Sequence, residues 1–267
     1  MKLYVVCDLE GVAGVVDHRQ QCQWDSERDW YGRYLDQARR LATLELNAFV
    51  EGALAGGATE IIAWEGHGSF PGCIDVELLH PECKLIMGAV ERGPAGLDNS
   101  FDAMAQIGLH AMAGTANAVL PHGKWRLNGK LLGEIGMNCL QAGYYGFPCI
   151  FLSGDKAAVD EVNELIPDIE TVIVKEAIPR EDAPWSPAPA ISLSPQKART
   201  LIRDGAKRAM SRVKSIQLFT IDPPYQLDWF FDKPEHADGF AATQPDSVCI
   251  DPLTVQISGD DLMKLLC

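Results

Sequence analysis

No run of about 18 consecutive apolar residues occurs in the chain, so no membrane-spanning helix is expected. Positive charge is scarce: 23 Lys and Arg stand against 37 Asp and Glu, a formal net charge of −14. Surfaces that grip nucleic-acid phosphates need clustered basic side chains, so a nucleic-acid partner is not expected, and anionic membranes would repel the chain. The eight cysteines, at 7, 22, 73, 83, 139, 149, 249 and 267, form no Cys-x-x-Cys pair. That disfavours zinc held by thiolate clusters, and thiols dispersed in this way suit the reducing cytoplasm better than a disulfide framework. Two catalytic signatures are also missing. There is no Gly-x-Ser-x-Gly nucleophile elbow, and the glycine-containing stretch 88–94 lacks the Lys-Ser/Thr step of a phosphate-binding loop. The opening apolar run is too short for a secretory signal, is interrupted by Asp8, and reads as a strand.

The 267 residues, 47% apolar and 22% charged, are ample for a buried core and have ordinary globular composition, which excludes a disordered or fibrous chain. Residues 2–7 read as a strand. Leu35, Ala38, Leu41, Ala42, Glu45, Ala48 and Phe49 recur at helical spacing until Gly56-Gly57 stops the helix, and 59–64 is long enough only for a strand. This β–α–β opening implies a parallel sheet with a right-handed crossover. Further strands are expected at 84–87, 106–109, 148–152 and 171–174. Helices are expected at 133–145, from 153–155 to about 165, and at 194–212, where Ser194 and Pro195 supply an N-cap and first turn. The five prolines between Pro179 and Pro195 look like a linker, residues 215–257 look like short strands, and 260–266 is read as a packing helix. The expected architecture is α/β, a mostly parallel sheet flanked by helices over residues 1–190, with a smaller C-terminal α+β domain over 191–267.

The chemistry-bearing residues gather at strand ends. Asp8 and Glu10 close the first strand, His67 follows the second, His110 ends a later one, and Glu134 opens a helix after Asn128-Gly129. In open α/β sheets ligands bind outside the carboxyl ends of the strands. A spacing of two along extended chain turns Asp8 and Glu10 to the same side. Three carboxylates and two imidazoles without a thiolate suit zinc or another first-row divalent ion. Five ligands exceed the need of one open tetrahedral site and suit two ions sharing a bridging carboxylate, which is an arrangement for hydrolysis. Other residues have plainer roles. His18, His80 and His236 read as solvated or capping, and Asn138 and Tyr144 as packing residues, with Asn138 able to face a substrate. Asp155 reads as a helix cap, Cys7 as a buried thiol, and Trp229, Phe230 and Phe231 as core or subunit interface.

An ordered set of motifs carries a resemblance. Val6-Cys7-Asp8-Leu9-Glu10-Gly11-Val12-Ala13-Gly14 is followed by Gly66-His67, Leu109-His110-Ala111, Val119-Leu120-Pro121-His122 and Gly133-Glu134-Ile135-Gly136-Met137-Asn138. Then come Ala142-Gly143-Tyr144-Tyr145-Gly146, Ser153-Gly154-Asp155 and Leu193-Ser194-Pro195. This set resembles the D-aminopeptidases of the M55 metallopeptidase family over most of the chain, most closely over residues 1–175. The resemblance implies a hydrolase with two zinc ions per chain, held by Asp8, Glu10, His67, His110 and Glu134 with Asp8 as the bridge. It also implies that His122 transfers a proton or stabilises the tetrahedral intermediate. It further implies short peptides with an N-terminal D-amino acid as substrates and a ring-shaped homo-oligomer. The chain departs from the family in three places: Glu65-Gly66-His67 replaces an Asp-Ser-His step, the stretch from His122 to Glu134 is shorter, and the Pro-rich stretch after Arg180 is longer. A metal-dependent amidase or lactamase acting on a small non-peptide amide, and a non-catalytic binding protein on the same fold, are the alternatives.

Overall fold

A computed structural model describes residues 1–23, 31–68, 72–88, 93–179, 189–244 and 246–266. Most of the Pro-rich stretch and of the glycine-containing stretch 88–94 therefore lie outside the described residues. The chain runs through β1 (Lys2–Cys7), α1 (Leu35–Ala55), β2 (Glu60–Glu65), β3 (Cys83–Ile86), β4 (Ala103–Leu109), β5 (Trp125–Leu127) and β6 (Lys130–Leu132). It continues through α2 (Glu134–Tyr144), β7 (Cys149–Asp155), α3 (Lys156–Leu165), β8 (Glu170–Ala177), β9 (Ala190–Ser192) and α4 (Pro195–Arg212). It ends with β10 (Tyr225–Phe230), α5 (Pro234–Thr243), β11 (Val248–Asp251), β12 (Thr254–Gly259) and α6 (Leu262–Leu266).

Seven strands form one sheet in the order β3-β2-β1-β4-β7-β8-β9, parallel except for β9. Every residue of β4 and β7 is buried, as a parallel sheet covered on both faces requires. Helices α1 and α4 pack against each other on one face. Helices α2 and α3 pack together against β4, β7 and β8, and right-handed crossovers place them on the other face. From β1 the chain steps outward through β2 to β3, then returns to the opposite side of β1 as β4. The strand order thus reverses between β1 and β4, and the carboxyl ends of these two strands open the crevice where such sheets bind ligands.

The second sheet is antiparallel, in the order β11-β12-β10-β5-β6. Its β5–β6 hairpin was not anticipated, since 122–134 read as a shortened connection. Asn128 and Gly129 both take positive φ, 48° and 83°, which matches the twist a two-residue hairpin needs. Asn128 also ties the hairpin to β10: its Oδ1 accepts from Gln226 N at 2.7 Å and its Nδ2 donates to Pro224 O at 3.0 Å. A second apolar cluster, including Leu127, Met137, Leu227, Ile257 and Leu265, fills the space between this sheet, α2 and α6. The α5 helix breaks the run of strands expected over 215–257. Residues on both sides of position 190 are shared between the layers: β9 and α4 belong to the large sheet and its helices, while β5 and β6 belong to the small sheet. We propose a division in which the smaller unit is built from 125–132 and 225–266, and the larger from the rest.

Candidate metal centre and substrate pocket

The loop after β1 is pressed onto the end of β4. Gly11 N donates to Gly108 O at 2.7 Å, and a Cβ on Gly11 would lie 2.0 Å from Leu109 O. Gly108 has φ of +73°, and a Cβ there would lie 2.4 Å from Asp8 O. Only glycine allows this double close approach, which sets Asp8 and Glu10 beside His110. Glu134 is the first residue of α2, where a carboxylate is favoured by the helix dipole. His67 stands one residue beyond Gly66, whose N–H donates to Cys7 O at 2.8 Å.

All five expected ligand residues meet. Three overlapping groups have ligand atoms within 4.8 Å of one another: Asp8, Glu10 and His67; Asp8, His110 and Glu134; and Glu10, His110 and His122. Asp8, Glu10 and His110 are almost wholly buried. Each buried histidine spends one ring nitrogen on a backbone carbonyl. His67 Nε2 lies 2.6 Å from Cys22 O, and His110 Nδ1 lies 3.0 Å from Ala111 O. With those nitrogens donating, the others are lone pairs aimed at carboxylate oxygens. His67 Nδ1 faces Asp8 Oδ1 at 3.3 Å and Glu10 Oε2 at 3.1 Å, and His110 Nε2 faces Asp8 Oδ2 at 3.2 Å. Lone pairs facing carboxylates repel unless a proton or a cation lies between them. His110 Nε2 and Glu10 Oε1 are buried and make no hydrogen bond, which fits donor atoms turned toward a cation.

Without a cation, protons balance the charge. Burial pushes the Asp8 carboxyl up, as does the charge on Glu10, but contact with the His110 and His67 imidazoles brings it below its ordinary value. Burial also pushes Glu10 up, yet the charge of His67 and contact with His18 hold it well below the carboxylate range. For both His67 and His110 burial pulls the imidazole down, and neighbouring carboxylates, Glu10 and Asp8 for His67 and Glu134 and Asp8 for His110, outweigh it and hold it well above its ordinary value.

His122 stacks on His110, with ring centroids 3.6 Å apart. Its Nδ1 lies 3.2 Å from Leu120 O and its Nε2 lies 3.8 Å from Glu134 Oε1, beside a pocket of about 350 Å³. Trp64, Trp125, Met137, Asn138 and Trp229 also line that pocket, Trp229 while packing against the second apolar cluster. Asp155 is a cap, accepting from Ala158 N at 3.0 Å, and Tyr144 is turned to Asp261 at 3.2 Å. Two residues of the centre escaped the sequence reading. His18, expected to be solvated, points Nε2 at Glu10 Oε1 at 3.3 Å. It is held there by a turn of π-helix over His18–Cys22, whose start Asp17 caps and whose end supplies the Cys22 carbonyl to His67. Lys175, one residue past the expected end of its strand, is buried with Nζ among the carbonyls of Glu10, Val12 and Val15.

Glu45 supports the same loop from α1, its Oε1 accepting from Ala13 N at 3.0 Å. Burial pushes its carboxyl from 4.5 up to about 7. A raised carboxyl binds a proton in the native state that the unfolded chain has lost, so its contribution to stability falls as pH rises from about 4.5 through 7. Glu45→Gln mimics the protonated form at every pH. Between pH 5 and pH 8 the variant is expected to gain about 2 kcal/mol over the parent in urea melts. An unchanged difference between the two proteins would show that the site tolerates the charge.

The family model of the M55 peptidases, described as D-aminopeptidase, matches residues 1–267. A D-aminopeptidase of Bacillus subtilis (strain 168) is 32% identical over 232 residues, covering 84% of this chain and 78% of that protein. A solved structure described as Zn-dependent D-aminopeptidase DppA from Bacillus subtilis, a self-compartmentalizing protease, superimposes with a TM-score of 0.83 at 31% identity, over 98% of this chain and 92% of that one. With the family match running from the first residue to the last and the buried carboxylate–histidine cluster at the sheet's switch point, the chain belongs to the M55 D-aminopeptidase family.

Proposed function

We propose that the protein is a zinc-dependent aminopeptidase that releases N-terminal D-amino acids from short peptides. One observation carries the reading: two of the ligand groups, Asp8–Glu10–His67 and Asp8–His110–Glu134, share Asp8. Asp8, Glu10, His67, His110 and Glu134 would hold the zinc, and a donor set of this size suits two ions. Bound there, zinc supplies a Lewis acid for the scissile carbonyl and makes water acidic enough to act near neutral pH.

The chain's own residues supply the rest. Cys22 O and Ala111 O fix the ring orientations of His67 and His110, so that one nitrogen of each faces the carboxylates. His122, with Nδ1 turned to Leu120 O, presents Nε2 at the pocket. There it can take a proton from the attacking water and return it to the departing amine. A centre rich in carboxylates also attracts the cationic N-terminus of a peptide.

Zinc-loaded protein given matched D- and L-dipeptides and small amides tests this reading. D-selective cleavage is expected, and cleavage of amides alone would move the substrate to the non-peptide class. His122→Ala is expected to keep its zinc and lose about a hundredfold or more in kcat. Loss of zinc in that variant would instead make His122 a ligand, as its grouping with Glu10 and His110 allows.

We also infer a homo-oligomer, in the ring form expected of the family. The description of the Bacillus subtilis structure as self-compartmentalizing supports it, and light scattering tests it. A cytoplasmic location is supported by the seven free thiols among the described residues, six of them buried. Among the described residues no helix is long and apolar enough to cross a membrane.

A further inference from the structure

The pocket beside the candidate metal centre has an unusual wall. Trp64 comes from β2, Trp125 from β5, Met137 from α2, Trp229 from β10 and Leu266 from α6. Trp125 and Trp229 are register partners across β5 and β10, and their rings meet edge to face at 5.7 Å. Phe240 backs Trp229 at 5.0 Å. These rings stand next to the reacting groups. A Cβ on Gly123 would lie 2.8 Å from Glu134 Oε1 and 3.5 Å from the Trp125 ring, and one on Gly66, beside His67, would lie 3.3 Å from the Trp64 ring. The space is about 350 Å³, within the range of pockets that take small organic ligands.

Charge narrows the occupant. The acidic residues lining the pocket are Glu65 and Glu134, and none of the described lining residues is Lys or Arg. Glu65 is already engaged, its Oε1 accepting from Ile74 N at 2.9 Å. Among the described lining residues an acidic side chain would meet two carboxylates and no Lys or Arg. Asn138 Nδ2 donates to Gln106 Oε1 at 3.0 Å, which leaves the Asn138 carbonyl oxygen to accept from a substrate N–H.

We propose that this wall is a specificity subsite for one bulky uncharged side chain, aromatic or long aliphatic, flanking the scissile bond. The proposal rests on the peptidase reading and adds the substrate class to it. Trp125 and Trp229 set the preference through stacking and apolar burial, which discriminate by about tenfold or more for each well-filled contact.

Two dipeptide series on the zinc-loaded protein test it, D-X-Gly and D-Ala-D-X, with X as Ala, Leu, Phe or Asp. In one series kcat/KM is expected to be at least about tenfold higher for Phe and Leu than for Ala, and lowest for Asp. The series that responds shows whether the subsite takes the N-terminal or the leaving residue. Trp229→Ala and Trp125→Ala are expected to lower the Phe-to-Ala ratio by about tenfold, and Trp229→Phe to retain most of it. A preference for Ala in both series overturns the proposal, as does a ratio unmoved by either alanine substitution. If no peptide is cleaved, the peptidase reading fails by itself, and the subsite is judged by binding. D-phenylalanine amide is then expected to quench tryptophan fluorescence at lower concentration than D-alanine amide, and equal titrations overturn the subsite.

Discussion

Alanine at His110 is expected to leave the protein with no more than one tightly held zinc per chain and to lower peptide turnover by about a thousandfold or more. His110 belongs to two of the three ligand groups, one through Asp8 and Glu134 and one through Glu10 and His122. Its ring is buried with Nε2 3.2 Å from Asp8 Oδ2 and 3.6 Å from Glu134 Oε2, so alanine removes a donor atom at the centre of the cluster. Losing the ion beside it forfeits several kcal/mol of charge stabilisation at the carbonyl, and each 1.36 kcal/mol is about tenfold in rate. His67→Ala should behave alike through the other group, because His67 pairs with Asp8 and Glu10. The two variants are expected to retain the parental circular dichroism, since neither histidine belongs to the apolar core. Elemental analysis and single-turnover assays read both effects. Full zinc and full hydrolysis in both variants would falsify the shared ligand set.

The reach of the sequence differs from element to element for physical reasons. The strands that lead to Asp8, His67 and His110 are largely buried, so their apolar runs are marked and end within two residues of a polar candidate ligand. Strand ends and candidate ligands are therefore legible together, and the side chains of Asp8, Glu10, His67, His110 and Glu134 lie close to one another. The β5–β6 hairpin left a weaker trace, two three-residue strands around Asn128-Gly129, although that dipeptide between apolar runs is itself a hairpin signal. Missing it hid the pairing of Trp125 with Trp229, which depends on a partner about a hundred residues away in sequence. His18 carries no local mark, because its position depends on Asp17 capping a turn and on Gln21 reaching back to Gly14 O at 3.0 Å. The layers could not be divided along the chain, because β5 and β6 leave the large sheet's sequence for the small sheet while β9 and α4 return to the large one.

Lys175→Met is expected to destabilise the protein by on the order of 3 kcal/mol and to weaken zinc binding at least about tenfold, although Lys175 reaches no candidate ligand side chain. A lysine normally ends an apolar strand, and residues 171–174 alone read as one. In the fold β8 runs on to Ala177, with Lys175 paired to Asp155 and Ser192 and wholly buried. Its ammonium donates to the carbonyls of Glu10, Val12 and Val15, the last two turning away from the strand that delivers Asp8. Methionine matches the length and removes the cost of burying a charge, but it leaves three buried carbonyls without a donor, each worth about 1–3 kcal/mol. The loop keeps the bonds of Gly11 N to Gly108 O, Ala13 N to Glu45 and Gly14 N to Ser192, but the Glu10 carbonyl loses its buried donor. Supports of this kind typically change metal affinity by about 10–100-fold. Titration gives a second signature. Burial brings Lys175 down to about 8 from 10.5, against the opposing pull of Asp155 and other acidic neighbours, so the native state binds fewer protons than the unfolded chain between those values. Parental stability therefore gains with pH across that window, and the methionine variant lacks the gain, so the gap between them widens from pH 8 to pH 10. Urea melts of zinc-free protein at the two pH values separate this from metal loss, and a constant gap would mean that burial does not lower the Lys175 ammonium's pKa.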